Sequence, residues 1–311
     1  MSTMSAIRMH EFGAETVLRL EEIERPAASR NEVLVKVMAA SVNPVDWKIR
    51  KGGYPAVTKD SLPIVPGRDL AGTIVATGAD VSDFAVGDRV FAFLDMKHGG
   101  YEEYVALPAT LLAKMPSSIG FEEAAAVPLA ALTAWQGLFD HGGLRRGQRL
   151  LIHGGAGGVG HFAIQFAKAK GAWVATTVSK TDLSLAQRLG ADQVIEYKSE
   201  RFEDALDAVD MVFDLVGGET RSRSFDVLKE GGILVSTLGE PDRDEAARRK
   251  VRVAGYMAQP NATQLREIGD LIDQGKVKVM VQKVFPLEEA AHAQRSLEKD
   301  HIQGKIVLKV A

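Results

Sequence analysis

The feature that most restricts this chain is a short apolar run that ends in a glycine turn. Arg149-Leu150-Leu151-Ile152-His153 reads as a brief buried strand, and it leads straight into Gly154-Gly155-Ala156-Gly157-Gly158-Val159-Gly160. A helical pattern over 159–170 follows, then a second strand-like run over 173–178. A strand–turn–helix–strand unit packs as a right-handed crossover, which makes its two strands parallel. The alternation continues with a helix over 183–189, strands over 193–197 and 210–216, a helix over 221–228 and a strand over 232–237. Strands spaced by helices predict an α/β fold with a doubly wound parallel sheet.

The first 120 or so residues read differently. Residues 33–38 alternate as a half-buried strand does, and 71–78 and 89–93 are further strands. Gly52-Gly53, Pro66-Gly67 and Val86-Gly87-Asp88 mark turns between them. Many short strands with such turns predict a barrel-like β domain. Residues 121–139 are alanine-rich and helical in character, 263–274 form a later helix, and 305–310 a closing strand. A chain of 311 residues exceeds the usual single core, so two domains are expected.

Charge and composition remove several classes. The net charge is −3 and no basic block occurs, so nucleic acid is not an expected partner. No apolar run approaches the about 18 residues of a membrane helix. Residues 1–9 lack a signal peptide's apolar stretch, and a cytoplasmic location is expected. The absence of cysteine excludes disulfides, a thiol nucleophile and thiolate metal sites, though it says little about compartment. No Ser–His–Asp order or carboxylate pair stands out, so hydrolysis has little support. His153 and His161 flank the glycine turn and are expected to support it.

Gly155-Ala156-Gly157-Gly158-Val159-Gly160 fits G-x-G-x-x-G in the required strand–turn–helix setting. Glycine serves the tight turn, the approach of backbone to a pyrophosphate, and close helix–strand packing. The helix N-terminus then offers free N–H groups to phosphate. NAD sites usually carry an acid at the end of the second strand. Here that strand ends Thr176-Thr177-Val178-Ser179-Lys180, and no acid comes before Asp182. Hydroxyls and a lysine suit a 2′-phosphate, which points to NADPH. Alternatively Ser179 caps a helix and Lys180 is solvated, but Thr181 or Asp182 can cap equally well. Tyr197, ending the third strand, either lies against the same phosphate or packs on the surface.

Several segments together resemble the medium-chain dehydrogenase/reductase superfamily, in its zinc-free quinone oxidoreductase and alkenal/enone reductase branch. They are Ala40-Ser-Val-Asn-Pro-Val-Asp46, Val65-Pro-Gly-Arg-Asp-Leu-Ala-Gly72, Val86-Gly-Asp-Arg-Val90, Leu129-Ala-Ala-Leu-Thr-Ala-Trp135, the glycine turn, Phe213-Asp-Leu-Val-Gly-Gly218 and Gln303-Gly-Lys-Ile-Val-Leu308. Their order spans nearly the whole chain. The resemblance implies a GroES-like β-barrel domain over 1–124 and 277–311, and a Rossmann NADPH-binding domain over 125–276. Zinc-dependent relatives place a cysteine where this chain has Asn43, a His-Glu pair where it has Arg68-Asp69, and a cysteine or acid near Leu129. Asparagine, arginine and leucine make no tetrahedral zinc site, so no metal is expected. Without zinc an alcohol is not easily polarised for oxidation. The favoured chemistry is hydride transfer from NADPH to a quinone or an α,β-unsaturated carbonyl. An enoyl-thioester reductase and a non-catalytic NADPH-binding protein are the alternatives.

The resemblance also implies roles for single residues. Asn43 would lie near the nicotinamide, with its amide able to donate to the substrate oxygen; otherwise it is a turn residue before Pro44. Lys48 matches a lysine that reaches the nicotinamide ribose. Tyr54 donates to substrate or merely covers the pocket. Thr133 would touch the nicotinamide carboxamide. Val216, Gly217, Leu238 and Gly239 would run beside the nicotinamide, and Lys305 would reach the cofactor from the returning tail. Asp46 is expected to hold its local loop. Relatives commonly dimerise through the edge of the Rossmann sheet, so a homodimer is expected.

Overall fold

In the computed structural model, which describes residues 2–311, the eleven-residue strand Glu32–Val42 organises the first of two units. This unit runs up to Leu129 and also takes in Pro260–Gln274 and Val279–Ala311. Its seven-stranded sheet has the order 281–286, 305–309, 32–42, 69–77, 89–93, 112–114, with Tyr104–Pro108 paired to Glu32–Val42 outside that path. The C-terminal strand Lys305–Lys309 therefore pairs with one of the first strands of the chain. In that antiparallel register Ile306 faces Val42 and Val307 faces Ser41, while Ser41 faces Asp69 across its other edge. Ser41, Asn43, Asp69 and Lys305 are thus gathered at one end of the sheet.

Alternation explains the central strand. Val33, Val35 and Val37 fill one core with Leu70, Ile74 and Val90, and Ala40 and Val42 fill a second with Ile306, Leu308 and Ile49. Several elements of this unit lacked a sequence signal, among them the strands Tyr104–Pro108, Leu112–Lys114 and Val281–Pro286 and the short helix Pro44–Arg50. Thr3–Met9 and Leu18–Glu24 form a hairpin, and Ala290–Lys299 is a helix whose Ala290 and Ala293 enter the second core. The helix Ala262–Asp273 falls inside the expected 125–276 block, yet it belongs to the first unit, where Pro116 and Phe91 approach Gly269 closely.

The second unit comprises Ala130–Gln259 and Gly275–Lys278. Its six strands are all parallel and, numbered in chain order within the unit, lie 3-2-1-4-5-6. This is the dinucleotide-binding doubly wound order, whose ligand crevice opens at the carboxyl ends of the first and fourth strands. Those strands are Arg149–His153 and Val209–Asp214. Leu151, Val212 and Leu234 are buried in its core. The helical stretch expected over 121–139 breaks at Pro128 and ends in a π-helical turn, Gln136–His141.

Candidate functional site

The glycine turn is shaped by contacts that a side chain would destroy. A Cβ at Gly155 would stand 2.1 Å from Thr176 Oγ1, and one at Gly160 would stand 2.2 Å from the Gly154 carbonyl oxygen. Gly154 itself has φ +79°, which L side chains rarely adopt. Gly157 differs, since a Cβ there would meet only the Gly154 oxygen at 3.5 Å. Internal packing therefore demands glycine at 155 and 160 but leaves space at 157, where an approaching pyrophosphate would need bare backbone. Helix Gly160–Ala169 starts directly behind. The donors and space present fit a dinucleotide.

Both flanking histidines support the turn. His161 Nδ1 lies 3.1 Å from the Gly157 oxygen. His153 is fully buried, and burial pushes its pKa down to about 4, so the ring is neutral. Ser224 Oγ donates to the Thr220 oxygen and so accepts from His153 Nε2 at 3.0 Å. Nδ1 then carries no proton and accepts from the Thr177 hydroxyl at 3.0 Å. The Thr177 carbonyl oxygen also takes the N–H groups of Gly154 and Gly155. Thr177 was expected to touch cofactor; its hydroxyl proton is instead committed inward, to His153.

Beyond the second strand, Ser179 Oγ contacts Asp182 Oδ2 at 2.7 Å and Thr181 Oγ1 at 2.8 Å. Asp182 is buried, whereas Lys180 is exposed. Tyr197 is exposed at the end of the third strand. At the fourth strand Asp214 does work that the sequence did not reveal. Its Oδ1 accepts from Val216 N at 3.0 Å and Gly217 N at 2.8 Å, and its Oδ2 accepts from Ser236 Oγ at 2.8 Å. Ser236 Oγ accepts in turn from Leu238 N. One buried carboxylate thus fixes both loops, Val216-Gly217 and Leu238-Gly239. Thr133 is likewise held from a distance, because the Tyr256 hydroxyl donates to its carbonyl oxygen. A Cβ at Gly137 would collide with that hydroxyl at 2.4 Å, so Tyr256 fits only against glycine.

In the first unit a buried polar cluster caps the sheet end. Asp69 Oδ2 accepts from Ser41 Oγ at 2.5 Å and Asn43 Nδ2 at 2.8 Å, and its Oδ1 accepts from Leu129 N at 2.7 Å. Lys305 Nζ donates to Asn43 Oδ1 and to the Val42 oxygen, and stands 3.9 Å from Asp69. Burial lowers the Lys305 pKa and raises that of Asp69. Asp46 Oδ2 accepts from Asn43 N at 2.7 Å and from the Tyr101 hydroxyl at 3.0 Å, holding the start of helix Pro44–Arg50 as expected. Burial pushes its carboxyl up to about 7.

Two expectations need correction here. Asn43 is 1% exposed, and both ends of its amide are engaged by Asp69 and Lys305, so it is not a free donor for substrate. Lys305 is 3% exposed and its ammonium turns into this cluster rather than outward. Lys48 and Tyr54 remain half-buried, with Tyr54 packed on the core beneath.

Residues 29–117 match the alcohol dehydrogenase GroES-like domain family, and residues 189–308 match the zinc-binding dehydrogenase family. The NADPH-dependent alkenal/one oxidoreductase of Arabidopsis thaliana chloroplasts is 38% identical over 98% of this chain and 79% of its own length. The chain is a medium-chain dehydrogenase/reductase. It falls in the branch that holds quinone and alkenal/one oxidoreductases. The quinone oxidoreductase from Coxiella burnetii superposes with a TM-score of 0.92 at 37% identity, covering all of both chains. The Escherichia coli quinone oxidoreductase, solved in complex with NADPH, gives 0.89 at 30% identity, covering 98% of this chain and all of that one. In this medium-chain dehydrogenase/reductase, no three His, Asp or Glu side chains converge as metal ligands among the described residues.

Proposed function

We propose that this chain is an NADPH-dependent oxidoreductase that reduces quinones or α,β-unsaturated carbonyl compounds without a metal ion. The glycine turn carries the proposal, because Gly157 has room for a side chain yet keeps the bare backbone that a pyrophosphate requires. The alkenal/one oxidoreductase and the NADPH-bound quinone oxidoreductase support the choice of cofactor and acceptor. When bound, NADPH supplies a hydride to an electron-poor double bond or a quinone.

The chain's own residues supply grip and polarity. Gly155, Ala156, Gly157, Gly158, Val159 and Gly160 would hold the pyrophosphate. Lys180, with Ser179 and Tyr197, would hold the 2′-phosphate. Thr133, Val216, Gly217, Leu238 and Gly239 would line the nicotinamide half, the first through Tyr256 and the rest through Asp214. Lys48 would reach the nicotinamide ribose, and Tyr54 would donate toward the substrate oxygen as it gains charge. Asn43 and Lys305 act as positioning residues, since each is spent on the other and on Asp69. That arrangement also supports metal independence. The Lys305 ammonium donates to Asn43, which stands where the resemblance puts a zinc-binding cysteine, and Asn43, Arg68 and Leu129 supply no anionic donor.

A cytoplasmic homodimer belongs to the same proposal. The edge strand Arg252–Gly255, which pairs on one side only within the described sheet, supports the dimer, and sedimentation analysis tests it. The decisive experiment adds NADPH to purified protein with a panel of short enones and quinones. Turnover is expected with at least one acceptor, at lower cofactor concentration than with NADH. No NADPH oxidation with any acceptor would sink the proposal.

A further inference from the structure

Arg68 stands out as a buried cation with no counter-ion among the described residues. It is 7% exposed, and its one hydrogen bond among the described residues runs from Nη1 to the backbone oxygen of Asp95. The carboxylates that face it are otherwise engaged. Asp69 is taken by Ser41, Asn43 and Leu129 N, Asp46 by Asn43 N and Tyr101, and Asp95 by Lys97 N and His98. None of them forms an ion pair with the guanidinium. Burying an unpaired charge costs several kcal/mol, so such a group calls for an anion from outside the chain.

The surroundings offer room for one. Arg68 lines a cavity of about 650 Å³ within the first unit, a volume suited to a small organic ligand. Lys97 and His98 line it beside Arg68, while Val57 and Ile64 give it apolar wall. Two acids also line it: burial pushes the Glu102 carboxyl up to about 8, so it carries little charge at neutral pH, and Glu24 is exposed to solvent. A planar fork of donors next to aliphatic wall matches a carboxylate on a hydrocarbon chain.

We propose that Arg68 anchors a carboxylate of the substrate, so that the preferred acceptors are α,β-unsaturated oxo acids rather than neutral enones. This rests on the reductase proposal above. It deepens that proposal by naming the class of acceptor.

The test separates binding from turnover. Hexanoate and hexanamide are titrated calorimetrically onto the full-length protein at neutral pH. Hexanoate should bind at least tenfold more tightly, and Arg68→Gln should abolish the difference. Arg68→Lys keeps the charge but loses the fork, so it should reduce the preference severalfold, and it serves if the glutamine variant does not fold. Equal affinity for both ligands, or a preference that survives in both variants, overturns the anchor. In parallel, an unsaturated oxo acid and its methyl ester are compared as acceptors with NADPH. The acid should show the higher kcat/KM, by about tenfold. Turnover without preference for the acid overturns the substrate class while leaving the reductase proposal standing. A hexanoate preference with no turnover of either compound overturns the reductase proposal, and the substrate class with it.

Discussion

Asn43 and Lys305 show how much a residue's role depends on its neighbours. Their positions made both natural candidates for touching ligand, yet each satisfies the other inside a buried cluster. Lys180 is the reverse, an exposed side chain that makes no hydrogen bond or ion pair among the described residues. Lys180→Ala should weaken NADPH binding about tenfold, the loss expected for a charge-assisted hydrogen bond, and leave NADH binding unchanged. Fluorescence titration with both cofactors checks this, and equal losses for the two would remove Lys180 from the 2′-phosphate site. Glu102 supplies a pH-dependent counterpart. Its carboxyl titrates near 8 in the fold but near 4.5 in the open chain. Between those values the folded state holds a proton that the unfolded state has released, so stability falls as pH rises through that window. Glu102→Gln removes the titration. The variant should match the wild type near pH 4.5 and become the more stable by a few kcal/mol above pH 8. Urea unfolding at the two pH values would show it, and a pH-independent difference would rule it out.

At the scale of elements, the glycine turn contains two kinds of glycine. Gly160→Ala drives a Cβ into the Gly154 carbonyl, so it should cost about 2 kcal/mol or more of stability. Gly157→Ala meets no such contact and should melt near the wild type, while NADPH affinity falls at least tenfold. Thermal melts set against cofactor titrations separate the two. The same contrast marks what was legible in the sequence. Five of the six strands of the parallel sheet showed themselves because they are short and apolar, whereas Arg252–Gly255 and the 3-2-1-4-5-6 order did not, since right-handed crossovers alone admit several orders. Helix Ala290–Lys299 also gave no signal, because the side chains it buries fully, Ala290, Ala293, Gln294 and Ser296, are small or polar, and Leu297 is its one large apolar contact with the core. Asp214, Tyr256 and His153 were hidden for a different reason. Each acts on a residue distant in sequence, the hydroxyl of Tyr256 on Thr133 and the ring of His153 on Ser224. Arg68 was noted only as a residue that cannot bind zinc. That it lacks a counter-ion became visible once Asp46, Asp69 and Asp95 were seen to be occupied.

At the scale of the whole molecule, the first unit is assembled from three stretches of chain and the second from two. The strand Lys305–Lys309 lies between Val281–Pro286 and Glu32–Val42 and contributes Ile306, Val307 and Leu308, all fully buried. Removing residues 305–311 takes out that strand together with the cation beside Asp69. The shortened chain should fail to form the first unit, because the loss includes three core side chains worth about 2 kcal/mol each and leaves a buried carboxylate unpaired. Hydrogen exchange should find Glu32–Val42 unprotected in it, and full protection of that strand would contradict the expectation.

That late partner has a consequence for how the protein is made. Lys305 leaves the ribosome 263 residues after Val42. At about 10 residues per second, the Ala39–Val42 end of one edge of Glu32–Val42 waits roughly half a minute for its neighbour, whereas the Glu32–Lys36 end pairs with Tyr104–Pro108 much earlier. During that interval the nascent chain displays an apolar strand edge to everything around it, whereas the crossovers of the second unit close soon after each is synthesised. Holding factors that bind exposed strands should therefore meet this protein at Ala39–Val42, and release it only once Lys305–Lys309 has been made.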